Sequence, residues 1–164
     1  MKYSLKRSLL TEGTVEDGLD ESDFMRTLTN YVDKVEAGYD SAYLTIEGSD
    51  GCMAQAYLVI NDEPQGGIWI DKIEVVKTDT GTLHPECFRK GYARAMLQAL
   101  TKAADITQTP LALIAASEAY YKRMYPEIDL PDKEELAALY EDYGFFEEYS
   151  NFAQVKMNRE PRQS

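Results

Sequence analysis

A basic turn that contains a glycine lies directly before an amphipathic helix, at residues 89–97. Apolar residues then recur at spacings of three and four, and these are Met96, Leu97, Leu100, Ala103 and Ala104. This spacing predicts a helix from Ala93 onward with one buried face. Because apolar runs at 68–76 and 111–115 flank that helix, the segment is predicted to form a strand, a turn, a helix and a second strand parallel to the first.

The start of this helix is a candidate anion site. The backbone N–H groups of a helix N-terminus have no partners within the helix and carry a partial positive charge. Gly91 would also let the backbone come close to a ligand. These features predict a site for phosphate or pyrophosphate. The alternative is an ordinary strand-to-helix turn whose basic side chains are solvated.

The turn resembles the acetyl-CoA signature of the GCN5-related N-acetyltransferases (the GNAT family), Gln/Arg-x-x-Gly-x-Gly/Ala at the start of the central helix. The run from Pro85 to Ala93 has the family's distance from the proline to the glycine, but Phe88 stands where the family has Gln or Arg. The resemblance implies nine residues in contact with acetyl-CoA. They are Val75 and Val76 on the preceding strand, and Phe88, Arg89, Lys90, Gly91, Tyr92, Ala93 and Arg94 in the turn.

A second segment carries the same resemblance. Asp132 and Glu135 fit a capping box, and Gly144 fits the residue after a helix, so a helix is predicted over 132–143. The run from Leu139 to Phe145 is similar to the family's Leu-Tyr-x-x-x-Gly-Phe. The resemblance covers residues 40–158 and implies that Tyr140 can protonate the departing CoA thiolate. It also implies acetyl-CoA as co-substrate and no metal.

The resemblance implies that the acceptor cleft is lined by the strand at 68–76, which makes Glu74 the first candidate for the base that deprotonates the amine. Strand alternation puts Glu74 on the face opposite Ile73 and Val75. The alternative is a solvated strand residue. Asp71 and Glu47 are weaker candidates.

The chain has 17 basic and 29 acidic residues, a net charge of −12. Direct binding to nucleic acid is not expected, because it needs clustered Lys and Arg. An acidic surface can attract a cationic amine, or it can serve solubility alone. No apolar run is long enough to cross a membrane. The charge thus points to an amine acceptor, which a basic protein could supply, as the partner. A homodimer is left open.

Two cysteines without metal-type spacing, Cys52 and Cys87, are interpreted as reduced thiols in a cytoplasmic protein. Elsewhere, the pattern predicts a helix over 23–37, and strands at 43–47, 52–60, 145–149 and 152–158. The loops at 77–82 and 118–131 are insertions relative to the family, and residues 1–22 are an irregular N-terminal segment.

Taken as one domain of 164 residues, the chain is predicted to be a mixed α/β protein. The resemblance implies a GNAT-like fold, with a mostly antiparallel central sheet flanked by helices. The function that it implies is transfer of an acetyl group from acetyl-CoA to a primary amine by direct attack in a ternary complex. The alternative is a catalytically inactive acidic protein of the same fold that docks to a basic surface.

Overall fold

A computed structural model describes residues 18–60, 67–116 and 119–163, with residues 119–121 described by their backbone alone. The predicted irregular segment at 1–22 falls outside these ranges up to residue 17. The helices are α1 (Asp23–Leu28), α2 (Tyr92–Thr107), α3 (Ala119–Met124) and α4 (Lys133–Glu141), with 3-10 turns at Leu19–Glu21 and Pro85–Cys87. The strands are β1 (Lys34–Ala37), β2 (Ser41–Glu47), β3 (Cys52–Val59), β4 (Ile68–Lys77), β5 (Leu111–Ala116), β6 (Phe146–Ser150) and β7 (Gln154–Arg159).

In the described residues the strands form one sheet of seven, in the order β1-β2-β3-β4-β5-β7-β6. Every neighbouring pair is antiparallel except β4 and β5, which are parallel and are joined through α2. The prediction of a mixed, mostly antiparallel sheet flanked by helices is therefore confirmed, as is the predicted parallel pair.

The hydrophobic core lies on one face of this sheet. Along β3, Ala54, Ala56 and Leu58 are buried, while the residues between them are partly exposed. Helices α1, α2 and α4 contribute their apolar sides to the same core, which includes Phe24, Leu97 and Ala137 among its members. The strand residues that face the other way are available to a site on the opposite side of the sheet.

The helix predicted over 23–37 is wrong beyond Leu28. The Ser22 side chain caps α1, but the helix ends at Leu28, and residues 34–37 form β1. Val35 pairs with Leu44 of β2, and its β-branched side chain suits a strand better than a helix. Tyr31, Val32 and Val35 are partly buried against the same core as α1, although the chain changes from helix to strand between them. Periodicity alone could not reveal that change.

The two helices on which the proposed site depends form close to their predicted positions. α2 is a 16-residue helix, and α4 begins after Asp132 with both hydrogen bonds of the predicted capping box present. In the described parts of the chain, none of the helices is both long enough and apolar enough to span a bilayer.

Candidate active site

The parallel strands β4 and β5 separate soon after they begin. Their pairing covers three residue pairs, from Ile68 with Leu111 to Ile70 with Leu113. At the next position the register of β4 against β3 shifts and skips Asp71, and bulges of this kind re-aim strands beside functional sites. Within the described residues, the edge of β4 from Asp71 to Lys77 thus has no strand partner on its β5 side. The sheet is open there, at the carboxyl end of β4.

The N-terminus of α2 follows this opening in the chain and has no side-chain cap. Its N-cap residue is Gly91, which cannot supply a capping oxygen. The other helices with described caps differ, because Ser22 caps α1 and Asp132 caps α4. The first N–H groups of α2 therefore lack the side-chain acceptor that the other two helices have, and they remain available to a ligand.

The backbone of the turn before α2 adopts left-handed conformations at two positions. Arg89 has φ 60° and Gly91 has φ 89°. A Cβ atom built on Gly91 would meet no other atom within 4 Å, so the space above the turn is open. Uncapped N–H donors, close access at a glycine and free space fit the pyrophosphate of a CoA molecule.

Each of the three cationic side chains of the turn is paired with a carboxylate. Arg89 contacts Asp129 at 2.5 Å and Lys90 contacts Asp50 at 3.1 Å. Arg94 contacts Asp142 at 3.3 Å. These pairs are exposed and each is worth little in stability. They mean that an anion at the turn would rely first on backbone N–H groups.

Asp50 is held more firmly than the other two carboxylates. It accepts hydrogen bonds from the Tyr92 hydroxyl, from Lys90 Nζ and, at 3.2 Å, from the backbone N–H of Cys52. The Tyr92 hydroxyl is the largest cause, with Lys90 next, of a lowered Asp50 pKa of about 2. The same contact raises the pKa of Tyr92. Asp50 is therefore ionised, and Tyr92 neutral, throughout the physiological range.

The prediction of reduced thiols is wrong in this structure. Cys52 and Cys87 form a disulfide with their Cα atoms 5.5 Å apart, and both residues are buried. The β2–β3 hairpin and the 3-10 turn at Pro85–Cys87 bring together residues that are 35 positions apart in sequence. The expected cytoplasmic location loses the support that reduced thiols gave it. A bonded Cys87 also offers no thiol for acyl transfer.

Glu74 lies on the sheet face away from the core, as strand alternation predicted. It pairs with Gln55 across β3, whereas Ile73 and Val75 pair with buried alanines of that strand. Its carboxylate is half-buried and contacts Lys72 at 2.9 Å. Of the weaker candidates, Asp71 is exposed at the bulge. Glu47 forms an ion pair with Lys34 at 2.8 Å.

Tyr140 is buried on the inner side of α4, on the core face of the sheet. Its ring lies 6.0 Å from that of Phe145. Tyr140 and Glu74 thus belong to opposite faces of the sheet. A thioester placed in the opening between β4 and β5 would lie between those two faces.

The other residues predicted to contact acetyl-CoA lie on β4, at the end of the 3-10 turn and in the first turn of α2. Val75 is half-buried and Val76 is buried, both on the open stretch of β4. Phe88 is half-buried at the end of the 3-10 turn, and Ala93 is half-buried in the first turn of α2. An ion pair at 2.6 Å between Lys77, at the end of β4, and Glu86, in the 3-10 turn, joins this strand to the segment that leads into the turn. The contacts of the predicted residues with a cofactor stay predictions.

The only histidine has a local role. His84 Nδ1 accepts a hydrogen bond from the backbone N–H of Glu86 at 3.2 Å and caps the 3-10 turn at Pro85–Cys87. Among the described residues, no group of three or more His, Cys, Asp and Glu side chains is arranged to hold a metal ion.

Sequence reasoning missed the three carboxylates that pair with the turn, Asp50, Asp129 and Asp142. Asp50 and Asp129 each lie 40 residues from the cation that they contact, and Asp142 lies 48 residues away. Nothing in the local pattern of an exposed aspartate reveals a partner so far along the chain. The one usable signal was that Asp50 lies in the short connection between the strands predicted at 43–47 and 52–60.

No protein-family model and no curated protein matches the sequence. Solved structures do show likeness to it. A GNAT-family protein from Desulfovibrio desulfuricans is 16% identical with a TM-score of 0.47, over 74% of this chain and 69% of its own. An acetyltransferase from Bacillus subtilis in complex with CoA is 11% identical with a TM-score of 0.45, over 99% and 96% of the two chains.

A third similar structure is the PaiA N-acetyltransferase from Thermoplasma acidophilum in complex with coenzyme A. It is 13% identical to this chain with a TM-score of 0.44, over 84% of this chain and 67% of its own. At these identities and TM-scores, the likenesses establish neither a substrate nor an activity. The functional argument rests on the residues and on their geometry.

Proposed function

We propose that the protein is an acetyltransferase that uses acetyl-CoA and transfers the acetyl group to a primary amine. The observation that carries this proposal is the uncapped N-terminus of α2, which follows the point where β4 and β5 separate. An anionic cofactor would bind the free N–H groups at Gly91 and extend along the unpaired edge of β4. The resemblance of residues 85–93 and 139–145 to GNAT motifs names that cofactor as acetyl-CoA.

Bound acetyl-CoA would supply an activated acyl group as a thioester. The chain would supply position and proton transfer. Glu74 would take the proton that the amine loses as its nitrogen bonds to the acyl carbon. Tyr140 would give a proton to the sulfur as the carbon–sulfur bond breaks. Because these residues belong to opposite faces, the amine would approach from the Glu74 face and the thiol would leave on the side of α4.

The acceptor is proposed to be a cationic amine, either a small amine or a lysine or N-terminus of a basic protein. The support is the net charge of −12, which would raise the local concentration of cations. Solubility is the competing explanation of that charge.

A turnover assay tests the proposal. The protein is incubated with acetyl-CoA and a panel of amines that includes a polyamine and a lysine-rich peptide. Released thiol and the acceptor's gain of one acetyl group are then measured. Glu74→Gln should lower kcat/KM for the acceptor by ~10²–10⁴-fold. Glu148→Gln is the matched control, because Glu148 of β6 is also an ion-paired strand carboxylate but is not a candidate base, and it should leave turnover unchanged. Equal activity of the two variants would remove Glu74 as the base.

A second candidate function is an inactive acidic protein of this fold that docks to a basic surface. The ion pairs of Arg89, Lys90 and Arg94 favour it, because all three cations of the turn are already neutralised. Phe88 at the first signature position agrees with it. This candidate predicts no binding of acetyl-CoA and no thiol release with any amine, so the same assay separates the two functions.

A further inference from the structure

We propose that Asp50, on the β2–β3 hairpin, is a positioning residue for the acyl-CoA site. In this role it fixes Lys90 and Tyr92 and, through them, the N–H groups at the start of α2. The inference rests on the proposed function and deepens it. No motif in the turn itself contains Asp50, which lies 40 residues before Lys90.

Both oxygens of the Asp50 carboxylate are engaged. Oδ1 accepts a hydrogen bond from the Tyr92 hydroxyl and one from the backbone N–H of Cys52, and Oδ2 accepts from Lys90 Nζ at 3.1 Å. Lys90 and Tyr92 are the two neighbours of Gly91. One carboxylate therefore holds the chain on both sides of the glycine that begins α2.

The hairpin is also shaped to receive Tyr92. A Cβ atom on Gly48 would lie 1.5 Å from the Tyr92 hydroxyl oxygen, so only glycine leaves room for that side chain. The adjacent disulfide between Cys52 and Cys87 ties the same hairpin to the residue two positions before Arg89. The hairpin is thus anchored to the chain on both sides of the left-handed residues.

The turn needs such support because its conformation is costly by itself. Arg89 has a positive φ although it is not glycine. Gly91 also has a positive φ and, as a glycine, it has the largest backbone freedom of any residue. Residues held in sparsely populated conformations persist when surrounding contacts fix them. Without Asp50, the N–H groups would sample several orientations and would lose affinity for a phosphate.

A purely electrostatic role for Asp50 predicts the opposite effect. A carboxylate beside a phosphate site repels the ligand, so its removal would tighten binding. Asp129 provides the matched comparison. It also pairs with a turn cation 40 residues away, Arg89, but its side chain is 82% exposed and it contacts no second residue of the turn.

The experiment compares Asp50→Asn with Asp129→Asn, since each variant removes one negative charge near the turn. Asp50→Asn should raise the Kd and KM for acetyl-CoA about tenfold, the effect expected from one hydrogen bond to a charged group. The kcat at saturating acetyl-CoA should not change. Asp129→Asn should bind acetyl-CoA as well as the wild type or more tightly. If Asp50 served folding alone, Asp50→Asn would lower the melting temperature but would not raise the KM for acetyl-CoA above that of Asp129→Asn.

Tyr92→Phe keeps the test decisive if Asp50→Asn fails to fold, because it removes only the hydroxyl that Asp50 accepts. Tyr92→Phe should also weaken acetyl-CoA binding. In the double variant with Asp50→Asn, the loss of affinity should be smaller than the sum of the two single losses. Unchanged affinity in Asp50→Asn, or in Tyr92→Phe where Asp50→Asn does not fold, overturns this inference alone. A wild-type protein that binds no acetyl-CoA overturns the proposed function and this inference with it.

Discussion

Arg94, in the first turn of α2, donates a hydrogen bond to Asp142, the residue that follows α4, across 3.3 Å. The Arg94 guanidinium also lies 5.9 Å from the centre of the Tyr143 ring. The segment with the anion-binding turn and the segment with Tyr140 are therefore in direct contact, although 48 residues separate the two partners. This contact makes a shared site for the two segments physically reasonable.

The first prediction concerns Tyr140 as the acid that protonates the thiolate. Tyr140→Phe keeps the ring next to Phe145 but removes the proton. The kcat should fall by ~10²–10⁴-fold, while the Kd of acetyl-CoA stays the same. Tyr149→Phe is the control, since Tyr149 is exposed on β6 and should tolerate loss of its hydroxyl with little change. Steady-state kinetics and calorimetry measure the two quantities. Full activity of Tyr140→Phe would assign Tyr140 to packing.

The disulfide gives a second prediction. The bond between Cys52 and Cys87 closes a loop of 35 residues, which restricts the unfolded chain. Its loss should lower the free energy of unfolding by about 4 kcal/mol in the chain-entropy description. Denaturant unfolding of the wild type and of the Cys52→Ser/Cys87→Ser double variant measures this difference. Two thiols that react with an alkylating agent in the unfolded, unreduced wild type would show that the bond is not formed.

The third prediction follows from a buried guanidinium. Arg159 is 1% exposed and makes two hydrogen bonds to Asp105, at 2.8 and 3.0 Å. Burial opposes ionisation of Asp105, but the hydrogen bonds from Arg159 and from the backbone N–H of Arg162 outweigh it and lower the Asp105 pKa. Asp105→Asn leaves a buried charge unpaired and should cost about 3 kcal/mol at neutral pH.

The pH dependence of this effect has a definite sign. Because the folded-state pKa of Asp105 is lowered, its contribution to stability is complete above the unfolded pKa, about 3.9, and is lost as the pH falls through the lower folded value. The stability difference between the wild type and Asp105→Asn should therefore shrink below pH ~4. Asp142→Asn, which removes an exposed ion pair, is the control and should cost less than about 1 kcal/mol. If the stability difference between the wild type and Asp105→Asn did not change with pH, it would contradict the assignment of this stability to the ionised carboxylate of Asp105.

The sequence predicted strands β2 to β7 and the two helices of the site because their signals are local, whereas the mostly antiparallel sheet was implied by the resemblance. Apolar spacing predicted α2, and the capping pair of Asp132 and Glu135 predicted the start of α4. The helix prediction failed at residues 29–37, because the same apolar spacing also suits a turn followed by a strand that pairs with β2. Local periodicity does not contain that pairing.

The site was predictable only in its local parts. The uncapped turn around Gly91 and the side of β4 that carries Glu74 follow from neighbours in sequence. The disulfide and the contacts of Asp50 with Lys90 and Tyr92 depend on how the β2–β3 hairpin meets the turn, 35 to 42 residues further along the chain. These long-range contacts are set by tertiary packing, so composition and spacing do not reveal which residues pair.

The fourth prediction tests whether the acidic surface attracts the acceptor. Raising the salt concentration from 0.01 to 0.1 M shortens the Debye length from ~30 to ~10 Å. At saturating acetyl-CoA, the acceptor's kcat/KM should fall over this range while kcat stays nearly constant, because long-range attraction acts on encounter. A neutral amine acceptor of similar size is the control. A kcat/KM that does not respond to salt for the cationic acceptor would leave solubility as the reason for the charge.

The most direct test of the central claim is calorimetric titration of acetyl-CoA into the wild type, Gly91→Ala and Gly81→Ala. Both glycines have a positive φ, and a Cβ on either would meet nothing within 4 Å, so the two substitutions impose a similar backbone cost. Only Gly91 begins α2. We predict one acetyl-CoA bound per chain in the wild type and in Gly81→Ala, with affinity weakened at least about tenfold in Gly91→Ala. No binding to the wild type, or equal binding to all three proteins, would contradict an acyl-CoA site at this helix N-terminus.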